Sequence, residues 1–180
     1  MVMKAQIRIA LAMLSLSPLV FMSSTTSAGE QSNRTDKSGY LDVIEQELAR
    51  LNIDARCDRV TMSCTYTKTL TNDGGVREVN LRYSQRTDTV YIFIKNFLAL
   101  EETNGLSGEL ARLLLSLNRE LVTAKFEWDK GANVIRLSTT INTDSNLDRR
   151  SLRSQLIGLW SVADDLWPRL KKYDKTTKKP

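Results

Sequence analysis

Residues 113–141 read LLLSLNRELVTAKFEWDKGANVIRLSTTI. A leucine ladder runs into this stretch. Leu106, Leu110, Leu113, Leu114, Leu117 and Leu121 fall at offsets 0, 4, 7, 8, 11 and 15, which is one stripe of a helix with 3.6 residues per turn. The period then changes with no linker between. Ala124, Phe126 and Trp128 alternate with Lys125, Glu127 and Asp129, as on a half-buried strand. Lys130-Gly131-Ala132-Asn133 supplies a turn, and residues 134–141 give the return strand. A helix passing through Asn118 straight into a hairpin sets the class as α+β with an antiparallel sheet.

Upstream, Leu41, Ile44, Leu48 and Leu51 recur at helical spacing, with Ser38 as a cap and Asp42 answering the N-terminal dipole. Val60, Met62, Cys64 and Tyr66 then alternate with Thr61, Ser63, Thr65 and Thr67, a strand whose apolar face includes Cys64. The turn Asn72-Asp73-Gly74-Gly75 accepts positive φ, and Val79, Leu81 and Tyr83 continue the pattern, completing a hairpin. Residues 90–94, VYIFI, are apolar on both sides and are expected to form the central strand, covered on both faces. Asn104 and Gly105 break the chain before the leucine ladder. Downstream, Leu152, Leu156, Leu159, Trp160, Ala163, Leu166 and Trp167 mark a last helix. Asp144, Ser145 or Asn146 can open it, and Pro168 marks its end or a kink. The expected order is α-β-β-β-α-β-β-α.

The 180 residues include no histidine, which excludes a Ser-His-Asp triad, a Cys-His dyad, an HExxH zinc site and histidine-ligated haem. Residues 1–28 have the three parts of a secretory signal peptide: Lys4 and Arg8 at the head, an apolar run over 9–22 interrupted by Pro18, and small polar residues up to Ala28. The run is too short for a membrane span, so cleavage after Ala28 is expected, leaving no integral membrane segment and a periplasmic or secreted product. Residues 29–37 read as a flexible leader, 38–170 as one domain, and 171–180, with five lysines, as a basic disordered tail. Loss of residues 1–28 lowers the net charge from +5 to +3, too small to argue for nucleic acid. Cys57 and Cys64 lie in the exported part and are expected to form a local disulfide stapling a hairpin.

The order of elements, the junction from Asn118 to Phe126 and a closing helix that ends near Trp167-Pro168 give the stretch from Ser38 to about Leu170 its likeness. It resembles the YbjN family, whose domain is similar to the class I type III secretion chaperone fold. The resemblance implies helices on one face of an antiparallel sheet, pairing as a dimer, and binding rather than chemistry. The secretion chaperones hold unfolded stretches of effector proteins on apolar patches. They do so in the cytoplasm, whereas the signal peptide is expected to send this chain out of it.

The chain has no GxGxxG, GxxxxGK, GxSxG or EF-hand pattern, and no cofactor or metal site is expected. Adjacent carboxylates such as Asp164 and Asp165 diverge by about 100° on a helix and read as a solvated face. Asp144 and Asp148 read as capping residues, and Arg149, Arg150 and Arg153 as a wet basic face. The candidate protein-binding or dimer surface comprises Leu106, Leu110, Leu113, Leu117, Trp160 and Trp167. The expectation is a non-enzymatic, chaperone-like or regulatory protein-binding module acting through apolar patches. Its alternatives are a structural subunit of an envelope complex, or a small carboxylate- or cation-dependent envelope enzyme.

Overall fold

A computed structural model describes residues 39–72, 75–101, 105–144 and 146–175. The expected signal peptide, the expected flexible leader and the expected Ser38 cap lie outside them. The elements in chain order are α1 (Gly39–Arg50), β1 (Arg56–Asp58), β2 (Ser63–Thr69), β3 (Val76–Ser84), β4 (Thr89–Ala99), α2 (Gly108–Glu120), β5 (Lys125–Asp129), β6 (Val134–Asn142) and α3 (Arg149–Leu170), closed by a 3-10 turn over Lys171–Tyr173. The six strands form one antiparallel sheet in the order β1-β2-β3-β4-β6-β5. The α+β expectation holds, with one strand more than the sequence pattern indicated.

Register explains where the core sits. Cys64, Leu81 and Ile92 stand in one cross-strand row, and Tyr66, Val79, Ile94, Leu137 and Phe126 in the next. All are buried, because α1, α2 and α3 lay their leucine stripes over this face: Leu41, Ile44 and Leu48 from α1, Leu110, Leu114 and Leu117 from α2, and Leu152, Leu156 and Leu159 from α3. A register shift in β4 between Ile94 and Leu98 brings Phe97 into the core, where its ring meets those of Phe126 at 5.7 Å and Trp167 at 5.6 Å.

None of the described helices covers the opposite face of the sheet. Thr65, Asn80 and Phe93 share one row there, and Arg82, Tyr91 and Thr140 another. β4 is therefore central in order but buried on one face only. Its Tyr91 and Phe93 are part-exposed and stack on each other at 4.7 Å, since an aromatic pair can shield itself without a covering layer.

Local details correct the sequence reading further. Val60 belongs to the turn between β1 and β2 and is 93% exposed; β2 starts at Ser63, after Met62 takes a φ of 50°. The cap of α3 is Asp148, whose carboxylate accepts from the N–H groups of Arg150 and Ser151 at 3.1 Å. Asp144 is a turn residue with φ 42°. α3 runs past Pro168. The carbonyl of Asp164, four residues before the proline and so without its helical donor, accepts instead from the Asn72 amide at 2.7 Å.

The domain also continues beyond Leu170. Asp174 is buried and accepts from the Ala99 N–H at 2.9 Å, with the Arg77 guanidinium at 3.7 Å, so the start of the expected tail is pinned to β3 and β4. Residues 176–180 lie outside the described part. Among the described residues no helix is long and apolar enough to cross a membrane.

Candidate apolar groove

The end of α1 prepares one wall of a groove. Asn52 takes a left-handed φ of 55°; its N–H reaches the Ala49 carbonyl and the Ile53 N–H the Leu48 carbonyl, at 3.0 and 2.9 Å. This paired closure of a helix C-terminus turns the chain so that Leu51 and Ile53 both face α3. Opposite them, Leu156, Ile157, Trp160 and Ser161 lie on one side of α3, and Lys68 of β2 completes a concavity of about 340 Å³.

Trp160 forms its floor and is largely buried. The indole N–H donates to the Tyr66 hydroxyl at 3.0 Å, and the Lys68 ammonium lies 5.0 Å from the ring centroid. Burial pushes the Tyr66 hydroxyl up to about 12, against the opposing pull of the Trp160 donor, so Tyr66 stays neutral at ordinary pH. With the indole's polar edge satisfied inward, the groove presents an apolar surface. Ile157 stands at its rim, 58% exposed on a helix whose other side is core. Among the described residues Lys68 is the one charged residue lining the groove. Its chemistry suits an apolar side chain presented by a partner.

The residues singled out in the sequence divide between core and surface. Leu110, Leu117 and Trp167 are core residues, Leu106 and Leu113 pack partly buried against the core, and Trp160 alone of the six lines the groove. Ile157, Leu51 and Ile53 were missed. Ile157 lies one residue beyond the stripe position Leu156, an off-stripe apolar residue on an amphipathic helix, which is the signal that could have found it. Trp128, by contrast, is 43% exposed on β5. Cys57 and Cys64 are cross-strand partners joined by a disulfide.

The charged groups have structural partners that sequence spacing did not reveal. Arg153 donates from Nε and Nη2 to one carboxylate oxygen of buried Glu47, the Nε contact at 2.8 Å. Arg149 donates to the Gln46 side chain at 2.9 Å. Two of the three arginines expected as a wet face thus tie α3 to α1. The hydrogen bond from Arg153 holds Glu47 below its ordinary carboxylate range, overcoming the burial that would raise it; the charges of Arg153 and Arg50 act in the same direction. Asp164 is not simply solvated either, since its carboxylate accepts from the Thr71 N–H and hydroxyl at 2.7 and 3.0 Å. Among the described residues no three His, Cys, Asp or Glu side chains gather as a metal site would require.

No protein-family model matches the sequence, and no curated protein matches it. Solved structures do match in fold. The ExsC–ExsE complex aligns with a TM-score of 0.51 at 16% identity, over 74% of this chain and 93% of that one. The HopA1–SchA chaperone–effector complex aligns at 0.51 and 10% identity, over 71% and 92%. YbjN from E. coli aligns at 0.50 and 12% identity, over 72% and 92%. The six-stranded antiparallel sheet and its three helices therefore have a type III secretion chaperone-like fold, shared with YbjN.

Proposed function

We propose that this chain is an exported, non-enzymatic, chaperone-like module that binds a protein partner by seating an apolar side chain in the groove between α1, β2 and α3. The observation that carries the reading is Ile157 at the rim of an apolar concavity whose Trp160 floor has its polar edge already bonded. An exposed aliphatic beside a buried aromatic is the make-up of a binding anchor. Complexes among the structures of this fold, one of them a chaperone with its effector, support a binding role. Export is supported by the three-part leader and by the Cys57–Cys64 disulfide, a bond that persists in oxidising compartments.

The test measures suppression of aggregation of a reduced, unfolding protein by the mature chain. Ile157→Glu places a charge at an exposed rim and is expected to weaken suppression about tenfold. Leu115→Glu, at an exposed position on α2, leaves it unchanged. Equal suppression by wild type and Ile157→Glu overturns the reading. The intact mass of the protein recovered from the cell envelope checks export, since cleavage after Ala28 leaves Gly29 as the first residue.

A further inference from the structure

The uncovered face of the sheet carries a second concavity of about 650 Å³, between the β1–β2 and β3–β4 turns. Its composition is opposite to that of the groove. Arg82 and Arg86 line it, and among the described residues no carboxylate does. Both arginines are exposed, and neither has an ion-pair partner among the described residues. The carboxylates nearby are already engaged. Asp58 accepts from the Thr61 hydroxyl and the Val60 N–H, both at 2.8 Å; Asp88 accepts from the Tyr83 hydroxyl at 2.9 Å; and Glu127 accepts from the Tyr91 hydroxyl.

Register assembles the floor, with Arg82 opposite Tyr91 and Tyr91 opposite Thr140 on three adjacent strands. Phe93 stacks on one side of the Tyr91 ring, and the Tyr91 hydroxyl is taken by Glu127. What Tyr91 offers the concavity is therefore ring surface. Around it stand the hydroxyls of Ser84, Thr89 and Thr140, the first two each sharing a hydrogen bond with the Thr87 hydroxyl at 2.8 Å. A guanidinium fork matches a carboxylate or phosphate, clustered hydroxyls match a polyol, and a flat aromatic surface receives the C–H face of a saturated ring.

We propose that this concavity binds an acidic sugar, its carboxylate or phosphate held by Arg82 and Arg86 and its ring lying against Tyr91. Single-stranded nucleic acid would also use basic and aromatic residues, but it needs successive platforms for successive bases. Here the two aromatics stack on each other, and the Arg136 guanidinium lies 5.3 Å from the Phe93 centroid, which leaves Tyr91 alone to stack.

Calorimetric titration of the mature chain with trigalacturonate and with glucose 6-phosphate tests the proposal, with maltotriose, inorganic phosphate and octathymidylate as comparisons. At least one of the two acidic sugars is expected to saturate the protein. Preference for trigalacturonate assigns a polymeric uronate, and preference for glucose 6-phosphate assigns a phosphorylated headgroup. The double substitution Arg82→Gln with Arg86→Gln, and separately Tyr91→Ala, should weaken binding about tenfold or more, while Tyr91→Phe retains it. Maltotriose should not bind, and inorganic phosphate should bind about tenfold more weakly than the acidic sugar. The proposal is overturned if neither acidic sugar saturates, if the double arginine variant binds as wild type does, if inorganic phosphate binds as tightly as the sugar, or if octathymidylate binds more tightly than both. The substituted side chains lie on the uncovered face, so an unchanged melting curve separates loss of binding from loss of fold.

Discussion

Along β4, Val90, Ile92 and Ile94 are fully buried while Tyr91 and Phe93, one residue away from them, look out from the other side of the same strand. The first set lies in the core shared with the helices, and the second lies beside Arg82 and Thr140 on the part-exposed side. Both sets are apolar by composition, so composition alone does not say which face carries a second layer. Supply of helices decides. Among the described residues three helices carry apolar stripes, and all three are used on one side. Stability should therefore reside on the covered face, leaving the uncovered face free to vary its chemistry.

The strongest challenge to that contrast is Ile92→Ala, which removes a fully buried side chain between β3 and β6. The expected loss is about 3 kcal/mol, read by denaturant unfolding; a loss no larger than that of Tyr91→Ala would erase the distinction between faces. Next comes Cys57→Ser with Cys64→Ser. The bond closes a short loop at the β1 edge, and opening it should cost about 2 to 3 kcal/mol, with a wild-type midpoint that falls on reduction while the variant's does not. Glu47→Gln is third. It leaves Arg153 facing a neutral partner, at a cost of about 1 to 2 kcal/mol, tempered because Arg153 is half exposed. Since the folded carboxyl titrates below its ordinary value of 4.5, its contribution is full above that pH and is lost as the pH falls through the lowered value. Wild type should lose stability on acidification over that window, and the variant should show a smaller change there. The smallest effect is Tyr91→Ala, expected to change stability by less than about 1 kcal/mol.

The elements that were legible in the sequence are those whose period is long and clean. The six leucines leading to Leu121 predicted α2, and the alternation at Phe126 predicted β5. What escaped depends on partners distant in the chain. β1 is three residues long, too short to show alternation, and its place is set by Cys57 opposite Cys64. Arg153 reads as solvated until Glu47, 106 residues earlier, is seen beneath it. Asp164 reads the same way until the β2–β3 turn reaches it from 93 residues upstream. For the groove, Trp160 was legible as an aromatic on the stripe, whereas Leu51 and Ile53 needed the left-handed Asn52 to turn them toward α3.

The Asn118 side chain shapes more than a junction. Its carboxamide oxygen takes the Phe126 N–H at 2.7 Å and its amide donates to the Phe126 carbonyl at 3.0 Å, which occupies two of the main-chain groups along β5, the last strand in the sheet order. An outer strand with open main-chain groups can pair with a strand of another chain and lengthen the sheet. At Phe126 one carboxamide shaped like a peptide unit already takes that place.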